Sequence, residues 1–193
     1  MTSLSIRRLL HRAWGCALLL LITVGLPVWA DDGLFEVTRG SLRVDDTQYL
    51  LDGQVDLHLN SEAAEALESG LMLSIQMQFE ITRPRRFWTD IQVVSTSRDF
   101  ELRFKALSQR YLVTDNLTGE QQNYATLPSA LRNLGRIRGW PVAAVNVIND
   151  DANNECALRA VINQDRLPGP LQILTFWRGD FSLDSDWYRW TLE

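Results

Sequence analysis

A chain of 193 residues with 24 Asp and Glu against 19 Lys and Arg, net charge −5, is poorly suited to nucleic acid, because such binding rests on neutralising phosphates. The length fits one domain behind an export segment, and a chain of this size buries roughly 70% of its unfolded surface without needing staples. Its two cysteines, Cys16 and Cys156, and two histidines, His11 and His58, are too few and too scattered for a zinc site, and no cofactor is expected.

The chain opens on a basic front, Arg7, Arg8, His11 and Arg12. An apolar run over 13–28 follows, broken only by Gly15, Thr23, Gly25 and Pro27, and Val28-Trp29-Ala30 leads into Asp31-Asp32. A positive front, a short apolar middle and a small-residue exit form the pattern of a secretory signal peptide. Residues 1–30 are therefore expected to be removed by cleavage after Ala30, leaving 31–193 as a single β-rich globular domain in the periplasm. The alternative is an uncleaved N-terminal membrane anchor, since an apolar run of about 16 residues is only slightly short of the roughly 20 that span a bilayer. Lipid attachment at Cys16 fails, because most of the apolar run follows that cysteine. Cleavage removes Arg7, Arg8 and Arg12 and no acid, so the exported part is more acidic than the whole chain. That argues against broad docking on an anionic membrane; membrane contact is expected only if the signal segment stays uncleaved.

Alternation with period two dominates the remainder. Short strands are predicted at 34–38 and 41–44, with a turn at Asp45-Asp46. Val55, Leu57 and Leu59 alternate with Gln54, Asp56 and His58. Ser61 is placed to cap a short helix, with Glu62 and Glu65 near its positive end and Gly70 beyond its last turn. The longest alternation follows: Leu71, Leu73, Ile75, Met77, Phe79 and Ile81 share one face, and Ser74, Gln76, Gln78 and Glu80 the other, with Met72 the one lapse. This reads as a half-buried antiparallel strand. Further strands are predicted at 91–96, 100–105, 110–114, 157–163 and 171–178. Loops are predicted at 116–119 and 149–154, and Leu167-Pro168-Gly169-Pro170 as a rigid corner. A second helix starts at the cap Thr126, with Pro128 in its first turn; Leu127, Ala130, Leu131, Leu134 and Ile137 keep helical spacing as far as a stop at Gly139. The economical architecture is mainly β, bordering on α+β: an antiparallel sandwich or strongly curved sheet with two short helices at its ends.

Four segments invite a chemical reading. Asp151, Asn153 and Glu155 resemble the start of a calcium loop, but Cys156 stands where that loop needs Gly and Ile162 where it needs a bidentate Glu; a solvated hairpin loop accounts for it, and no metal is expected. Arg83-Pro84-Arg85-Arg86-Phe87-Trp88 is the strongest local charge anomaly. Arg83, Arg85, Arg86 and Trp88 form the candidate binding patch, since Arg makes bidentate contacts to carboxylate and phosphate and, with Trp, is enriched at interface hot spots. Lipid headgroups, glycans or an acidic partner surface suit it. The plainer alternative is a hairpin connection whose arginines pair with local acids and whose Trp88 packs inward. The aromatic C-terminus, Phe176-Trp177 and Trp187-Tyr188-Arg189-Trp190, is expected to close the core instead of forming a glycan platform. Once the signal segment is gone, Cys156 has no disulfide partner within the chain and reads as a small buried strand residue; an intermolecular bridge or reactive thiol is the other reading.

No catalytic residues are assigned. There is no nucleophile elbow, and His58 is the only base suited to neutral pH in the exported part. Asp52 and Asp56 share a strand face, but four residues apart on a strand is about 13 Å, too far for a glycosidase pair at roughly 5–9.5 Å. A mate from another strand stays open.

Glu65-Ala66-Leu67-Glu68-Ser69-Gly70, Arg85-Arg86-Phe87-Trp88, Leu102-Arg103-Phe104 with Leu107 and Tyr111, Leu127-Pro128-Ser129-Ala130-Leu131, Leu167-Pro168-Gly169-Pro170-Leu171 and a Trp-rich end occur in this order. Together they resemble the proteobacterial domain of unknown function 4390 over essentially the whole exported chain. Each motif alone is weak, and their order is the specific part. The resemblance implies no activity and no site residues. Its frequent gene neighbour, a sensor histidine kinase of the nitrogen-regulation type, implies an accessory of envelope signalling. The leading expectation is a non-enzymatic periplasmic domain that binds an envelope or inner-membrane protein, such as the outer portion of a membrane sensor. A small-molecule or lipid carrier, and a hydrolase using Asp52, Asp56 or His58, are the alternatives.

Overall fold

The computed structural model describes residues 33–148, 153–162 and 183–192. The expected signal segment, the Asp150-Asp151 part of the calcium-like loop, the 167–170 corner, the 171–178 strand and Phe176-Trp177 lie outside them. Nine strands, β1 (Leu34–Asp45), β2 (Gln48–His58), β3 (Leu73–Arg83), β4 (Ile91–Lys105), β5 (Arg110–Asp115), β6 (Gln121–Tyr124), β7 (Arg136–Ala144), β8 (Glu155–Ile162) and β9 (Tyr188–Thr191), and two helices, α1 (Ser61–Glu68) and α2 (Leu127–Leu134), are formed among the described residues. They build two open antiparallel sheets, one ordered β1-β2-β7 and the other β6-β5-β4-β3-β8-β9. The mainly β, sandwich-like expectation holds.

The core lies between the sheets. Cys156, Leu158 and Ala160 of β8, a strand buried nearly throughout, line it with Leu51, Val55 and Leu57 of β2 and Trp140 of β7; along β3, Leu73, Ile75, Met77, Phe79 and Ile81 are buried, while Gln76, Gln78 and Glu80 between them are only half-buried. Sheets wet on one side and dry on the other produce this pattern. Trp190 of β9 closes one end, with its ring centroid 6.0 Å from Phe79 and 5.7 Å from Tyr188. Gly40 of β1 is where this closure needs no side chain, because a Cβ there would come within 2.6 Å of the Trp190 ring. The packing role expected for the aromatic end holds for Tyr188 and Trp190. Trp187 instead carries the Arg159 guanidinium over its ring at 4.5 Å.

Several local expectations are corrected. The 34–38 and 41–44 strands are one strand, β1, kinked by a bulge between Val37 and Arg39. The 91–96 and 100–105 segments likewise merge into β4, because β3 pairs along nearly its whole length. Asn60, not Ser61, caps α1: its side chain accepts from the Ala63 N–H at 2.9 Å. Thr126 caps α2 as expected, but the helix stops at Leu134, with Gly135 as its C-cap, not at Gly139. Ile137 keeps helical spacing yet lies on β7, because the chain from Arg136 onward finds β2 as a hydrogen-bonding partner. Three strand segments unmarked by alternation, β6, β7 and β9, owe their form to such pairing.

Candidate functional site

The β3–β4 hairpin builds the Arg-aromatic patch. Arg83 pairs with Ile91 at the base, where the ladder stops, because Pro84 offers no N–H. The connecting 84–90 turn is closed by the Arg85 backbone N–H donating to Asp90 Oδ1 at 3.1 Å. All of 84–90 is exposed. Phe87 keeps 84% and Trp88 78% of its surface in solvent. The Arg86 guanidinium sits 5.8 Å from the Phe87 ring centroid, and Arg83 is half-buried, with its Nε lacking a hydrogen-bond partner. Among the described residues none of Arg83, Arg85 and Arg86 is in an ion pair. The plainer sequence reading therefore fails on both counts: Trp88 does not pack inward, and the arginines do not pair with local acids. A hairpin tip of two exposed rings and guanidiniums in no ion pair can grip a partner through apolar contact and charge.

The carboxylate and histidine candidates are separated by their own bonds. Asp52 and Asp56 both lie on the solvent face of β2, as does His58 at its end. Asp52 is committed: its Oδ2 accepts from Arg43 Nε at 2.9 Å and its Oδ1 from the Gly139 N–H at 2.8 Å. Asp56 accepts from the Gln54 side chain at 3.4 Å. Near His58 an apolar groove of about 260 Å³ runs between β2 and α2, lined by Val55, Leu57, Leu59, Leu127 and Leu131. Among the described residues no three of His, Cys, Asp and Glu are grouped to hold a metal. Cys156 is buried on β8, and burial, with the neighbouring Glu155 carboxylate, pushes its thiol up to about 12. It is a packing residue, as the sequence suggested.

One ionic pair escaped the sequence reading. Arg98 of β4 and Asp115 of β5 stand on the inner face, in phase with Phe100 and Leu102 and with Tyr111 and Val113. Their side chains are only 21% and 9% exposed. Asp115 accepts from Arg98 Nε at 3.1 Å and also from Arg98 Nη2, from the Leu117 N–H at 2.9 Å and from the Thr118 hydroxyl at 3.0 Å. Burial alone would raise the Asp115 carboxyl; the Arg98 guanidinium and the two local donors outweigh it and hold the group below its ordinary value. The pair walls a cleft of about 170 Å³ together with Glu120, Arg136, Arg138 and Trp140, too small for an organic ligand that fills roughly 300 Å³ or more. Two charges placed in an otherwise apolar phase were the available signal.

No curated protein and no solved structure matches this chain. Residues 33–191 match the model of the domain of unknown function DUF4390, with the two sheets, both helices and the Arg-aromatic hairpin all inside the match, and the chain belongs to that family.

Proposed function

We propose that this protein is an exported, non-enzymatic accessory of the cell envelope that binds a protein partner through the tip of the β3–β4 hairpin, the partner being the outer portion of a membrane sensor of the histidine kinase type. The observation that carries the reading is the exposure of Phe87 and Trp88 beside the unpaired Arg85 and Arg86. Trp and Arg are among the side chains most enriched at interface hot spots, and a ring held mostly in solvent adds little to the isolated fold. Periplasmic location follows from the export pattern of residues 1–30 and is part of the proposal.

The carrier alternative rests on the groove between β2 and α2. Its volume of about 260 Å³ lies just under that of pockets which enclose a small organic ligand, roughly 300–1,000 Å³. The hydrolase alternative is weaker, because Asp52 is held by Arg43 and Gly139. The test is cross-linked capture by the tagged full chain in its own envelope, against an Arg85→Glu, Arg86→Glu variant. One membrane protein recovered by the native chain and lost with the variant supports the reading. Equal recovery by both removes the hairpin from the interface.

A further inference from the structure

The solvent face of the three-stranded sheet carries a second arginine cluster, on the other sheet from the hairpin tip. Arg39 pairs in register with Gln54, and Gln54 with Arg136. These three residues form one row across β1, β2 and β7. With strands about 4.8 Å apart, the Arg39 and Arg136 backbones stand roughly 10 Å from each other on either side of a neutral amide. Arg138 follows on β7, and Arg43 completes the set from β1. All four arginines are exposed, and they line an open depression of about 690 Å³ together with Asp52 and Gly139.

The arrangement is held in place. Arg43 is bound by Asp52 through Nε at 2.9 Å, and Asp52 is itself fixed by the Gly139 N–H. The Arg43 guanidinium thus reaches from β1 across β2 to β7, where a Cβ on Gly139 would stand 3.4 Å from its Nη2. Gly139 has φ +56°, a conformation natural to glycine, and it keeps that crossing open. Asp52 is the one carboxylate lining the depression, and both its oxygens are occupied. Arg39, Arg136 and Arg138 are in no ion pair among the described residues. Asp56 and Glu36 lie further along the same face, outside the depression, so within its lining four guanidiniums face one carboxylate, a local excess of positive charge in an acidic chain.

We propose that this depression binds a phosphate-type dianion, with Arg39 and Arg136 gripping it from either side of Gln54, Arg138 adding a third guanidinium, and Arg43 kept in place by Asp52. The guanidinium fork matches phosphate oxygens two at a time, and the volume admits a phosphate together with the small organic group that bears it. The site is independent of the hairpin tip and of the partner proposed to bind there.

The experiment is calorimetric titration of the full chain in non-ionic detergent with sodium pyrophosphate at fixed ionic strength. One saturable site is expected, weakened at least tenfold in the Arg39→Gln, Arg136→Gln double variant and unchanged in Arg110→Gln, an exposed arginine on β5. Far-UV circular dichroism melts confirm that both variants fold. Competition by glucose 6-phosphate assigns the dianion to a soluble phosphorylated compound, and competition by dihexanoyl phosphatidic acid to a lipid headgroup; either upholds the site. Three results overturn it: no saturable binding, equal binding by the double variant, or equal displacement by polyglutamate, which would show response to diffuse negative charge alone.

Discussion

Replacing Phe87 and Trp88 together by alanine separates a ring that holds the fold from one that serves a partner. Their exposures of 84% and 78% mean that only about a sixth and a fifth of each residue is covered. For aromatic side chains of about 150–250 Å², that is some 25–35 Å² for Phe87 and about 50 Å² for Trp88. At about 25 cal/mol per Å² the double change then costs at most about 2 kcal/mol, and less if the unfolded chain already hides part of this surface. Trp140, fully buried between the sheets, sets the contrast, since Trp140→Ala should cost about 3–5 kcal/mol. A bound partner reverses the ranking: losing one aromatic anchor worth about 2 kcal/mol weakens binding about 30-fold. Urea unfolding followed by circular dichroism, run beside the envelope capture assay, measures both. The reasoning is refuted if Phe87→Ala, Trp88→Ala destabilises the chain by more than about 3 kcal/mol, because the rings would then be packed. It is refuted equally if partner recovery is unchanged.

Asp115→Asn should cost about 2 kcal/mol at neutral pH, less than the loss expected for a fully buried pair because Arg98 keeps some solvent contact. The Asp115 carboxyl is held below its ordinary value of 3.8, so its contribution is complete above that value and disappears as pH falls through the lower folded one. Urea titrations at neutral pH and at about pH 2 should therefore show the gap between native and variant closing in acid; a gap of the same size at both would refute the assignment. Cys156, pushed up to about 12 by burial, should expose roughly one thiolate in ten thousand at pH 8. In a Cys16→Ser background, labelling by a thiol reagent should proceed only as fast as the fold opens, and prompt labelling of the native chain would contradict its burial. The sign of the raised thiol is the reverse of that of Asp115: its contribution is complete below 9.0 and fades as pH climbs above it.

The residues of β3 announced their strand because one face of that sheet is dry and the other wet, and period-two alternation records this directly in the chain. Thr126 with Pro128, and the glycine after α1, marked helix ends for the same local reason: a cap acts within a few residues of itself. The mainly β class, the packing role of Cys156 and the hairpin carrying Arg85 and Trp88 were all legible this way. β7 was not. Ile137 falls on the helical spacing of Leu131 and Leu134, and only the approach of β2, distant in the chain, turns 136–144 into a strand. Exposure was equally out of reach. Phe87 and Trp190 are both aromatic rings beside arginines in the sequence, yet one stands in water and the other against Phe79, because a sheet closes over one end and nothing described closes over the other. The Arg39, Gln54 and Arg136 row could not be read at all, since strand register, set by backbone pairing between remote segments, is what brings those guanidiniums onto one face.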